Sequence, residues 1–176
     1  MPIERDDKDW TWVLERRCPE CGLEVAAIEP ADVGQRLRDQ LPVWRSVLSH
    51  DGATLRPDEG TWSATEYACH VRDVCTLYAR RLLRMLTEND PEYPNWSSDD
   101  AAVDGRYGDQ APTLVITQLE TELAALADAF DAVHSGQWAR PGQRSDGAVF
   151  TVASFSRYLL HDVVHHGWDV TRERRI

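Results

Sequence analysis

Four stretches of this chain carry apolar residues at every third or fourth position, and that recurrence most limits the folds open to it. In the first, Val33, Leu37, Leu41, Trp44 and Leu48 are spaced 4, 4, 3 and 4 apart. The second runs through Tyr67, Val71, Val74, Tyr78, Leu82 and Met85, and in the third Ile116, Leu119, Leu123, Leu126 and Phe130 alternate 3, 4, 3, 4. The fourth, from Phe150 to Trp168, is apolar almost all round. A period of 3.6 residues lays each set along one face of an α-helix, and helices striped in this way bury their stripes against one another. The spacing predicts an all-α, four-helix bundle. At 176 residues the chain fits one compact domain that buries roughly 70% of its unfolded surface.

Local signals set the ends of these helices. Ser63 and Glu66 form a capping box at the start of the second, with Trp62 placed to staple onto Tyr67. Asp32 with Gln35 offers a similar start to the first, which is expected to bend at Pro42 and end at His50-Asp-Gly. The third is expected from about Thr113 to His134, with His134 exposed. Thr151 caps the fourth, and Phe150 can staple onto Phe155. Between the second and third helices, residues 87–112 are rich in Pro, Gly and Asp. So long a connection is uncommon in a compact domain and often functional, and in a bundle it lets the chain cross over before the next helix. Tyr93, Trp96 and Tyr107 within it can anchor the loop or line a pocket. Residues 1–29 show no sustained helical period and read as an irregular arm whose Trp10 and Trp12 pack on the domain. Residues 30–176 form the bundle.

The charge narrows the partners. Nineteen basic against 30 acidic residues leave −11, which argues against nucleic acid, whose phosphates need a concentrated basic surface. The basic cluster Arg172-Glu-Arg-Arg175 reads as the solvated end of a helix. No apolar run approaches the ~20 residues that span a bilayer, and no charged-then-apolar leader opens the chain. No membrane partner is expected, and the cytoplasm is the expected compartment.

Chemistry-bearing residues concentrate on two helices. His161 and His165 are one turn apart on the last helix and can chelate one divalent ion; core or surface histidines are the plainer reading of that spacing. His70 lies beside the apolar stripe of the second helix, with Glu66 and Asp73 near enough along it to accept a spare imidazole N–H. Arg140, Arg144 and Ser145 sit in the turn-rich segment 137–149, where an arginine is either solvated or holds a substrate carboxylate. Cys18-Pro-Glu-Cys21-Gly has knuckle spacing, but a zinc ribbon needs two such pairs. A half-site completed by a distant Cys or His is one reading; the one preferred is a surface thiol pair or a tight structural turn.

Taken together, Trp62-Ser63…Glu66-Tyr67…His70…Asp73, the long crossover and His161-x-x-x-His165 resemble the DinB/YfiT-like superfamily over about residues 30–172. That resemblance implies an up-down-down-up four-helix bundle with a three-histidine site for a divalent metal near one end. By the match, His70, His161 and His165 are the ligands. Zinc is the expected ion, with nickel, iron and manganese as alternatives. Three imidazoles leave an open position, so a metal-bound water or thiol is the expected reacting group, and Tyr67, Trp96 and Arg144 are the expected substrate contacts. Asp162 and His166 are rotated off the ligand face by about 100° per residue and read as supporting residues, an i,i+4 pair.

Family members include thiol transferases and isomerases that use mycothiol or bacillithiol. The resemblance therefore implies a mycothiol-type S-transferase acting on a small-molecule thiol and an electrophilic substrate. Arginine excess, with Lys8 the one lysine, fits a GC-rich source. The alternatives are a metal-dependent hydrolase and a non-catalytic, metal-stapled bundle serving stress-related binding or dimerisation. A homodimer is compatible with each. The arm with Cys18 and Cys21 falls outside the resemblance.

Overall fold

The computed structural model describes residues 9–173. Among the described residues there are six α-helices: α1 (Val33–Arg38), α2 (Leu41–Leu48), α3 (Ala64–Thr87), α4 (Ser98–Asp104), α5 (Pro112–Asp131) and α6 (Val152–Thr171). Four walls make the bundle, because α1 and α2 together serve as one broken helix. In cross-section the walls run α1–α2, α5, α3, α6, so the sequence neighbours α5 and α6 stand across the diagonal. This is the up-down-down-up four-helix bundle, and the crossover between α3 and α5 makes it feasible. Leu37, Trp44, Val71, Leu82, Leu119, Leu123, Phe155 and Leu159 meet in its core.

The first helix differs from expectation at two points. Asp32 makes no side-chain cap; a 3-10 turn, Pro30–Asp32, leads into α1 instead. The expected bend is a break, with Pro42 in the first turn of α2, where its missing N–H costs nothing. The box at α3 forms: Ser63 Oγ accepts from the Glu66 amide at 3.2 Å, and Glu66 Oε2 accepts from the Ser63 amide at 2.8 Å. Trp62 and Tyr67 meet edge to face, their ring centres 5.4 Å apart.

A small sheet joins the bundle. Strands β1 (Glu92–Tyr93), β2 (Pro141–Arg144) and β3 (Val149–Thr151) lie in that order. β1 pairs parallel to β2 (Tyr93 opposite Arg144), and β2 pairs antiparallel to β3 (Gly142 opposite Phe150). Gly147 turns the hairpin at φ +94°. The sheet ties the crossover to the segment before α6 and sets Arg144 beside the N-terminal half of that helix. No described helix is long and apolar enough to cross a membrane. Arg174 and Arg175 of the basic tail lie outside the described residues; Arg172 stacks over Trp168 with its guanidinium carbon 4.5 Å from the ring centre.

Candidate metal centre

α6 positions most of the site. Thr151 caps it by accepting from the Ser154 amide at 3.1 Å. Along it, His161 and His165 form one i,i+4 pair, and Asp162 and His166 form another displaced by a single residue. The roughly 100° step between successive residues aims the two pairs at different neighbours.

The second pair faces α3. His70, Asp162 and His166 each offer a ligand atom, and those atoms all lie within 4.8 Å of one another. The His70 and His166 rings are 4.6 Å apart at 87°, and Asp162 Oδ1 is 3.2 Å from His166 Nε2. His166 Nδ1 is 2.9 Å from Asp169 Oδ2, which fixes the ring. Burial disfavours the charged His166 ring, but Asp162 and Asp169 outweigh it and raise its pKa to about 10. Burial likewise opposes ionised Asp162, yet His166 and His70 hold its carboxyl well below the usual range. His70, 5% exposed, has its pKa lowered by burial. Neither of its ring nitrogens has a hydrogen-bond partner, and Asp162 Oδ2 stands 3.6 Å from Nε2, beyond a good hydrogen bond. The carboxylates that spacing offered to His70 are engaged elsewhere: Glu66 with Arg56 and Ser63, and Asp73 with Arg72 and Tyr107.

The first pair faces the arm. His161 and His165 stand with ring centres 5.1 Å apart, and their partners are Cys18 and Cys21, again with ligand atoms within 4.8 Å of one another. The expectation of one ion shared by His70, His161 and His165 thus meets a different arrangement, in which α6 divides the three histidines between two groups. Of the two preferred readings of the thiol pair, the tight turn is the one found: the Gly22 amide donates to Cys18 O, Cys18 and Cys21 are 1% and 0% exposed, and both are free thiols. Burial pushes Cys21 up to about 12 and His161 down to about 4.

His70, Asp162 and His166 border a cavity of about 1160 Å³, and so do His161 and His165, with the two thiols set back from it. Tyr67, Trp96 and Arg144 all line it. Tyr67 lies 5.2 Å from His166 and Trp96 5.6 Å from His70, ring centre to ring centre. Arg144 is held by both Asp146 oxygens at 2.9 Å. Arg81, which sequence reasoning passed over, also lines the cavity. It is 5% exposed, donates to Pro94 O at 2.7 Å, lies over Tyr93 and has no carboxylate within ion-pair distance among the described residues. Burial lowers its pKa.

Also missed were Asp162 and His166 as partners of His70, and Asp169 behind them. The signal was present: His161-Asp162-x-x-His165-His166 is two ligand pairs one residue out of register. On a helix apolar almost all round, periodicity does not say which pair meets α3.

The sequence profile of the DinB superfamily matches residues 34–170. Two solved structures share the fold. YfiT from Bacillus subtilis, described as a probable metal-dependent hydrolase with an unusual four-helix bundle topology, is 16% identical, with a TM-score of 0.72 over 81% of this chain and 84% of its own. A mycothiol-dependent maleylpyruvate isomerase is 15% identical, with a TM-score of 0.64 over 84% of this chain. The chain spans 62% of the isomerase. No curated protein matches.

Proposed function

Because this chain belongs to the DinB superfamily, we propose that it is a divalent-metal-dependent enzyme that joins a low-molecular-weight thiol of the mycothiol type to a small electrophile. Its ion would be held by His70, Asp162 and His166. The observation that carries the reading is His70: a buried imidazole with both nitrogens unpartnered faces a carboxylate and a second imidazole. Unpaired buried polar atoms are costly, and an ion relieves that cost. The two carboxylates that raise the His166 pKa make a field in which a divalent cation replaces a proton with gain. Held by these three residues, a divalent ion would supply Lewis acidity, the chemistry that activates a thiol or a water near neutral pH.

The chain's own residues supply the rest. Asp169 accepts the His166 Nδ1–H and keeps Nε2 turned toward Asp162. Trp62, Tyr67 and Trp96 pack against His70 and His166 and form the apolar wall around them. Arg81 is a buried cation on the wall of the same cavity and suits an anionic group on a substrate. Ligand pockets typically run to roughly 300–1,000 Å³, so a cavity of about 1160 Å³ has room for a thiol and an electrophile together, which favours transfer over hydrolysis.

The test is conjugation of mycothiol to 1-chloro-2,4-dinitrobenzene by protein stripped of metal and then reloaded. Product is expected only with both metal and thiol, and His70→Ala is expected to lower the rate roughly 100-fold or more. Turnover of an ester panel that ignores added thiol would replace transfer with hydrolysis. Wild-type metal content in both His70→Ala and His166→Ala would refute the ligand set.

A further inference from the structure

The arm carries a motif that the function above leaves unused. Cys18-Pro-Glu-Cys21-Gly folds as a tight knuckle: the Gly22 amide donates to Cys18 O at 3.0 Å, and the Cys18 amide donates to Leu23 O at 2.9 Å. Gly22 sits at φ +80°, a conformation that favours glycine. The knuckle turns both sulfurs toward the His161–His165 face of α6. Cys18 Sγ is 3.7 Å from His165 Nδ1. Two ligands on a tetrahedral zinc, with Zn–S near 2.3 Å and Zn–N near 2.0–2.1 Å, are about 3.6 Å apart. His161 Nε2 is buried without a hydrogen-bond partner. Trp10 lies over the pair, 5.8 Å from His161 and 5.1 Å from His165 between ring centres.

We propose that Cys18, Cys21, His161 and His165 form a second metal site, a closed tetrahedral centre for zinc that staples the N-terminal arm to α6. Four protein ligands leave no position for substrate, which makes the site structural. Two thiolates, two neutral imidazoles and a divalent cation sum to zero charge, which suits a position where all four side chains are buried. His165 Nε2 faces Glu20 at 3.8 Å and Asp169 at 3.9 Å, so carboxylates stand behind the ring on the side away from the sulfur. The ion would join segments 147 residues apart, where a cross-link removes much of the unfolded chain's freedom. The site does not depend on the reading of His70, because the two groups share no ligand.

X-ray absorption at the zinc edge tests this on the wild-type protein purified in reducing buffer. The expected spectrum contains a sulfur shell near 2.3 Å as well as nitrogen and oxygen. Cys18→Ser and Cys21→Ser are each expected to lose that shell and one equivalent of zinc per chain, whereas His70→Ala keeps the shell. A wild-type spectrum with nitrogen and oxygen alone overturns the proposal. So does wild-type zinc content in both serine variants, or a Cys18–Cys21 disulfide in that same preparation. The wild-type spectrum needs no variant, so a serine variant that fails to fold leaves the test intact. A sulfur shell together with absent conjugation activity supports this site and sinks the catalytic reading alone.

Discussion

At the scale of the residue, the chemistry rests on how side chains behind the candidate ligands hold them. Asp169→Asn keeps the shape but weakens the acceptor on His166 Nδ1. Metal affinity of the His70–Asp162–His166 group is expected to fall about 10- to 100-fold, measured by chelator competition. Glu66 shows the same dependence on partners in a structural role. Burial opposes its charge, but Arg56 and the Ser63 amide more than compensate and lower its pKa below the ordinary 4.5. The folded state therefore takes up that proton less readily than the unfolded chain does. The stabilisation is complete above about 4.5 and is lost as pH falls through the lower folded-state value. Glu66→Gln should flatten the acid limb of the Tm-against-pH curve, and an unchanged limb would exclude Glu66 as its source.

At the scale of the element, close approach and capping decide the outcome. A methyl on Gly34 would meet the Ala127 carbonyl of α5 at 2.8 Å and would collide with Asp131 Oδ1. The carboxylate can swing away; the carbonyl cannot. Gly34→Ala is expected to cost about 1–3 kcal/mol, read from denaturant titration. Thr151→Ala removes the cap of α6 and is expected to cost about 1 kcal/mol, with a correspondingly lower Tm. The elements legible in sequence were those with long stripes, α3, α5 and α6, of which α3 and α6 also carry side-chain caps. The three-stranded sheet and α4 were not, because strands of two to four residues are too short to show a period of two, and α4 is a seven-residue helix inside a polar loop. β1 exists only through pairing with a segment about 50 residues away in sequence, which no local window contains.

At the scale of the whole molecule, arm and bundle share one core. Cys18, Cys21, Leu23 and Val25 belong to the same buried cluster as Leu119 and Phe155. Val25→Ala, at a fully buried position, is expected to lower the Tm of one common transition by an amount equal to about 1–3 kcal/mol; two separate transitions in calorimetry would show that the arm melts independently. The site was half legible on this scale. His70 and the ligand-rich turn of α6 stood out in the sequence, but which ligands meet α3 depends on the azimuth of α6, and the arm helps to set that azimuth. Side chains stand about 5–6 Å from a helix axis, so a roll of about 20° would carry a ligand atom sideways by about 2 Å. The knuckle against one flank of α6 works as a key in a slot: it keeps the helix from turning, and the grip on Asp162 and His166 across the helix inherits its angular accuracy from a segment outside the four walls of the bundle.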